Sequence, residues 1–475
     1  MSTQINQQLK ATGVAQVIVV LKSSAAASGS VAAASSKGRA ATVGAVAPPP
    51  AARGLAGMED YFQGSELSQS SALAEAGLTR PSLAMASAST RRRAAATAVP
   101  PPSRFYPNLG VMFGTCNREG LMALRADNRV ATVSGAPQIS LIHPKRIESA
   151  KLVSKVTWGV DFLKVPKLWK EGLTGKGIRV AHLDTGVDGK HPALKNAIGG
   201  FVEFDFFGEA LTPSPSPHDT DDHGTHTAAT IAGRPVNGRS VGVAPEAELS
   251  SAIVIEGGEV VARVLGGMDW ALSQGVHILS MSLGFRGWWE DFIPITQILR
   301  SQNVLPIIAV GNENAGTSRS PGNYPDVLSV GAHDKNRTVA PFSSSQRFKR
   351  ANEPIVPDLV APGVDIISAR PGGGYQSMDG TSMATPHVAG VAALLLQAKP
   401  TASIDEVENA IFGSCTLPPG MFTSRANRGY PDAIRALALL TGLDLSARKS
   451  SKKSSKKSTK VGAKNASRKK PVKKR

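Results

Sequence analysis

Ile178-Arg179-Val180-Ala181-His182-Leu183-Asp184-Thr185-Gly186 begins as a short, mostly apolar run and ends on a carboxylate followed at once by a turn. Such a run suits a strand buried on both faces, as in a parallel sheet. Comparable runs recur at Leu249–Ile255, Val276–Ser282, Val304–Val310 and Val327–Gly331, with helical stretches at Val260–Ser273 and Phe292–Ser301 between them. The alternation predicts an α/β fold in which helices cover both faces of a mainly parallel central sheet. Asp184 then lies at the carboxyl edge of that sheet, where open α/β folds build their sites.

Groups that complement a carboxylate occur in two further segments. His223 lies in Asp222-His223-Gly224-Thr225-His226 and opens a stretch of small residues, Ala228-Ala229-Thr230-Ile231-Ala232-Gly233, that lets a helix pack closely. Ser382 lies in Gly380-Thr381-Ser382-Met383-Ala384-Thr385-Pro386-His387, which leads into Val388–Leu395, apolar all round and so a buried helix. Acyl transfer by a serine requires an imidazole to take the hydroxyl proton and a carboxylate to fix the imidazole's tautomer. It also requires donors for the oxyanion. The amino end of the Ser382 helix supplies free backbone N–H groups. Asn312, in Ala309-Val310-Gly311-Asn312-Glu313-Asn314 at the exit of another strand, is the candidate for a side-chain donor. Singly, each residue has an ordinary reading, as turn former, surface histidine or helix cap. Their joint occurrence in the order Asp, His, Ser is what carries weight.

As written, these three segments resemble the three signatures of the subtilisin family. The likeness runs over about Trp158–Leu437 and includes Val241-Gly242-Val243-Ala244-Pro245, Ser282-Leu283-Gly284, Tyr324-Pro325-Asp326-Val327, Ala361-Pro362-Gly363 and Gly429-Tyr430-Pro431-Asp432-Ala433. The resemblance implies a subtilisin-like three-layer fold and a serine endopeptidase. Asp184, His223 and Ser382 become its triad, and Asn312 and the Ser382 N–H its oxyanion donors. His226 is expected to be structural. Ser282, Leu283 and Gly284 are expected to pair with substrate backbone, and Arg319, at the floor of the pocket for the residue before the cut, to favour an acidic residue there. Many relatives bind calcium, but the usual acidic ligand after His-Pro is Ala193 here and the loop 234–240 is basic, so no metal or other cofactor is expected.

Beyond this peptidase region, 153–445, the chain divides by composition. Ala15–Leu21, Leu109–Cys116 and Val130–Val133 suit strands and Arg118–Ala126 a helix, making a small α+β domain over 1–152. It resembles the family's propeptide, the clearest match being Leu121–Val133, which implies a zymogen that cuts itself between about Ile147 and Lys155. Residues 23–103, rich in Ala, Ser, Pro and Gly, read as a low-complexity insertion. Residues 446–475 form a Lys/Ser-rich tail, and from Arg448 onward it carries fourteen of the basic residues behind the chain's net charge of +18, with no acid among them. Too few apolar groups are present there to offset ordering entropy. Such a tail suits solvation or weak binding to nucleic acid or an anionic surface. A second reading follows, an inactive subtilase scaffold tethered by that tail.

Cys116 and Cys415 have neither CxxC nor histidine spacing, and read as buried thiols. No run of eighteen apolar residues suggests a membrane span. The apolar stretch at Val14–Leu21 contains Gln16, is closed by Lys22 and makes a poor secretory leader, which leaves the cytoplasm or a non-standard export route. Expected partners are polypeptide substrates and the chain's own propeptide, on a monomeric enzyme.

Overall fold

The computed structural model describes residues 3–22, 55, 57–62, 103–255 and 257–445. Its centre is a seven-stranded sheet in the order Leu359–Pro362, Leu328–His333, Leu305–Ala309, Ile278–Met281, Arg179–Asp184, Glu248–Ile253 and Ile198–Glu203. Every neighbouring pair is parallel. The five strands read from sequence are its five central members. The two outer strands escaped notice because Ile198-Gly199-Gly200-Phe201 is broken by glycine, and Leu359-Val360-Ala361-Pro362 is short and stops at a proline.

One face of the sheet is covered by the helices His223–Ala232 and Thr381–Ala398, whose Ala228, Ala229, Ala384, Val388 and Leu395 pack with Val180, Ile307 and Val330. The second helix is buried along almost its whole length, as its unbroken apolar composition requires. The opposite face carries the helices Val260–Ser273 and Ile293–Ser301, packed on Leu183, Ala252, Leu279 and Ile308.

A second, antiparallel sheet runs in the order Ser103–Tyr106, Val111–Asn117, Val14–Leu21 and Val130–Gly135. Val14–Leu21, weighed above as a leader, is one of its two interior strands. The period of two along this strand divides its side chains. Val17 and Val19 face Ile5, Leu121 and Leu124, whereas Ile18 and Val20 join the core of the larger unit beside Val264 and Leu265. Polar contacts seal the same face. Tyr106 donates to Ala262 O at 3.0 Å, the backbone N–H groups of Asn108 and Leu109 donate to Asp269 at 2.6 and 3.0 Å, and Gln16 donates to both Glu259 oxygens at 3.0 Å.

Most of the stretch 23–103 and all of 446–475 lie outside the described residues. The exception lies inside the low-complexity insertion, where Met58 and Phe62 are buried in the small unit's core. Tyr61 O sits so close to Gly120 that a Cβ there would lie 2.0 Å from it. Gly-Met-Glu-Asp-Tyr-Phe at 57–62 is an apolar island in otherwise low-complexity sequence, and burial selects it. Cys116 is buried and Cys415 half-buried, both as free thiols. Among the described residues no helix is long and apolar enough to cross a membrane.

Candidate active site

Asp184 ends its strand with its carboxylate buried. Its Oδ1 accepts from the Thr185 N–H at 2.8 Å and from His223 Nδ1 at 2.7 Å. His223 is the first residue of its helix, and the helix start is pressed against the turn after Asp184. A Cβ at position 224 would lie 2.1 Å from Gly186 O, which is why glycine follows the histidine. Burial alone would raise the Asp184 carboxyl, but the charge and hydrogen bond of His223 hold it below the usual range. The reverse holds for His223, which burial would depress and Asp184 raises. Both shifts describe one pair that favours carboxylate beside imidazolium, the state needed while a proton rests on the base.

Asp219, which carries no local mark in the sequence, lies near enough to His223 to raise its pKa. It is held by Thr185 Oγ1 at 2.7 Å and by the N–H and hydroxyl of Thr225, each at 2.6 Å, and burial pushes its carboxyl up to about 6. The His226 ring donates from Nε2 to Ile366 O, 2.9 Å away, and burial drives its pKa down to about 3. It is a neutral tie between helix and strand.

Ser382 lies in the first turn of the helix Thr381–Ala398. Pro386, four residues on, has no N–H to give its carbonyl, and Ser282 Oγ lies 3.4 Å from that oxygen instead. The substrate-strand candidates are thereby linked to the nucleophile. Asn312 follows the strand Leu305–Ala309, and Thr381 fixes its amide by donating to Oδ1 from both N–H and hydroxyl, at 3.0 and 2.9 Å. With the oxygen so engaged, Nδ2 must point the other way, into the cleft.

The cleft holds a segment of the same chain. Ser140–Leu141 pairs antiparallel with Leu283 and Gly284, and the Ile142 N–H donates to Ser282 O at 3.2 Å. Ser282, Leu283 and Gly284 therefore do engage an extended backbone. The Ser382 hydroxyl donates to Ile142 O at 2.8 Å, while Asn312 Nδ2 donates to His143 O at 3.0 Å. His223 Nε2 is buried with no hydrogen-bond partner among the described residues. The Asp–His link is formed and the Ser–His link is not. Past Pro144, residues Arg146–Ala150 form a strand on Tyr375–Asp379, so the stretch expected to be cut, 147–155, begins within this strand and not beside Ser382.

Arg319 is already partnered within the chain. Its side chain is only 6% exposed, and its Nε and Nη2 donate to Glu313 Oε1 at 2.9 and 2.6 Å. Nη1 reaches Ser140 Oγ at 2.9 Å and Gly284 O at 3.2 Å. Glu313 is half-buried, which would raise its carboxyl, yet Arg319 holds it low. A guanidinium already matched by a carboxylate is no lone attractor for an acidic side chain. The residues near Ala193 also suit calcium poorly. Ala193 is buried and offers no side-chain oxygen, and Arg234 places its own cation on the carbonyls of Asn196, Ala232 and Ala247.

Comparison with known proteins agrees with this geometry. Residues 175–434 match the subtilase family, peptidase S8. The chain is 37% identical over 282 residues to M-protease of Shouchella clausii (strain KSM-K16), covering 59% of this chain and 70% of that protein. It is 37% identical over 263 residues to Subtilisin Savinase of Lederbergia lenta, covering 55% and 91%. It is 37% identical over 266 residues to the major intracellular serine protease of Bacillus subtilis (strain 168), covering 54% and 80%. A matched region of more than half the chain, coinciding with the unit that carries the seven-stranded parallel sheet, means that this chain belongs to the subtilase family and is a serine endopeptidase.

Proposed function

We propose that the chain cleaves polypeptides through an acyl-enzyme on Ser382 and is made as a zymogen whose residues 137–145 occupy its own cleft. In the reaction, His223 Nε2 takes the Oγ proton as Oγ attacks the peptide carbonyl. Asp184 keeps the other imidazole proton on Nδ1 and balances the charge formed. The oxyanion is met by Asn312 Nδ2 and the Ser382 N–H at the helix start. His223 then protonates the leaving amine, and water releases the acyl group by the same steps.

The observation that carries this reading is the 2.7 Å Asp184–His223 bond beside Ser382 and Asn312, both aimed at one stretch of extended backbone. A productive substrate presents one carbonyl to both the nucleophile and the oxyanion donor. Here the two groups divide adjacent carbonyls, and the Ser382 proton is committed to Ile142 O rather than to the base. That split register supports occupation without cleavage. Pro144, with no N–H and a fixed φ, follows immediately and limits how the segment can slide.

A fluorescent serine-directed phosphonate tests both parts. Labelling of the full chain is expected to lag and to follow the loss of its N-terminal unit, as read by intact-mass measurement. Labelling of the uncut chain at the rate of the cut one would end the autoinhibition reading, and a chain never labelled at all would end the enzymatic one. On the cut enzyme, Asn312→Ala is expected to lower kcat by about 10²–10³ with little change in KM, since that donor is needed only once the oxyanion forms. An unchanged kcat would remove Asn312 from the oxyanion site.

A further inference from the structure

His182 is a buried histidine that the reaction as described does not use. It lies two residues before Asp184 on the same strand, so its side chain shares the face that carries the carboxylate. Its Nδ1 lies 3.0 Å from Ser251 Oγ on the neighbouring strand Glu248–Ile253, and its Nε2 lies 2.9 Å from Thr227 Oγ1 on the His223 helix. Thr227 Oγ1 is in turn 3.2 Å from Asp184 Oδ2, the carboxylate oxygen that His223 does not touch. Nε2 itself is 3.7 Å from that oxygen.

Thr227 has one proton and a choice of acceptors, because His223 O and Gly224 O lie 3.2 and 3.1 Å away, within the same reach as Asp184 Oδ2. The tautomer of His182 decides the outcome. With the proton on Nδ1, the bare Nε2 takes the Thr227 proton and Asp184 Oδ2 loses its donor. With the proton on Nε2, His182 donates to Thr227, and the Thr227 proton remains available for Asp184. The carboxylate favours the second arrangement, since it attracts an N–H dipole at 3.7 Å and repels a lone pair. The Ser251 hydroxyl then completes the chain by donating to Nδ1.

We propose that His182 is a positioning residue for peptide hydrolysis: through Thr227 it directs a proton onto Asp184 Oδ2, holding the carboxylate in the plane in which Oδ1 meets His223. The inference rests on the triad reading above and adds a residue to it. Burial keeps His182 neutral, with a pKa pushed down to about 4 despite the pull of Asp184, so the donating chain persists wherever His223 can act as a base. Its consequence is electrostatic as well as geometric. A donor on Oδ2 draws charge from the carboxylate and tempers the rise it imposes on His223. The other charged groups near His223, Asp219 and Asp221, both raise its pKa, and neither is hydrogen-bonded to His182.

The test is ¹⁵N NMR of the histidine rings in the full chain, joined to kinetics of the processed enzyme. The His182 ring is expected as the Nε2–H tautomer. In His182→Val the pKa of His223 is expected to rise, and kcat to fall roughly tenfold with KM unchanged, the loss of one charge-assisted bond. His182→Gln, whose amide can still donate to Thr227, is expected to recover most of both. Thr227→Val keeps the shape of the helix and should reproduce His182→Val, so a valine at 182 that prevents folding leaves the test intact. An Nδ1–H tautomer in the wild type, or an unmoved His223 titration with kcat within about twofold in either valine variant, overturns the proposal. A wild-type enzyme that hydrolyses no peptide would instead sink the triad reading, while the ring tautomer and titration would still judge the hydrogen-bond chain.

Discussion

Ser382→Ala is expected to lower turnover about a million-fold and to leave the chain at its full length of 475 residues, while the wild type shortens on incubation. The magnitude is that of losing a nucleophile: what remains is substrate binding and the oxyanion donors, which accelerate the reaction over water only modestly. Folding should survive. In the occupied cleft the Ser382 hydroxyl makes one hydrogen bond, to Ile142 O, and the rest of the residue is held by its helix. Its removal changes stability by about 1 kcal/mol, far less than a core cavity would cost. Mass measurement of both proteins after the same incubation checks the result. Alanine protein that shortens like the wild type, in a preparation free of other proteases, would place the scissor elsewhere. A chain kept whole but still folded would also give a stable form in which residues 137–145 can be studied in the cleft.

What could be read from the sequence follows from how local the signal is. The five central strands are continuous apolar runs because both their faces are covered, and burial of that kind is visible residue by residue. Asp184, His223 and Ser382 each carry a local mark as well, at a strand end, a helix start and a helix start. Arg319 had no such mark. Its neutralising partner Glu313 lies only six residues away, but across a turn whose path the sequence does not dictate. The same limit applied to the blocking segment. Two residues of antiparallel pairing, Ser140–Leu141 on Leu283–Gly284, set the register of the whole stretch, and a pairing that short leaves no pattern to recognise. His182 was legible in principle. A titratable residue inside an apolar strand, two positions from a carboxylate, must share its face by the period of two. Its partners Ser251 and Thr227 come from elements that only the fold brings together.

Asp184→Asn is expected to reduce kcat about 10⁴-fold and to move the pH profile in a stated direction. In the wild type Oδ1 accepts from Thr185 N–H and His223 Nδ1, so the amide oxygen of asparagine is drawn to that position and the shape of the site is kept. What disappears is the charge. Asp184 is the strongest of the groups that raise the His223 pKa against burial; without it burial dominates, and the imidazole falls below its ordinary value near 6.5. Activity requires the neutral base. Wild-type kcat/KM should therefore rise with pH through the raised pKa of His223, whereas the residual activity of the variant should already be at its plateau at lower pH. Stability gives a second sign. Asp184 is held below its unfolded value, so its contribution to folding is present above that value and fades as pH falls through the folded one. Denaturant midpoints of wild type and variant should converge toward acid and separate toward neutrality. A variant that keeps the wild-type pH midpoint while losing activity would mean that Asp184 orients the imidazole without setting its charge, and the pairing of carboxylate with imidazolium would have to be given up.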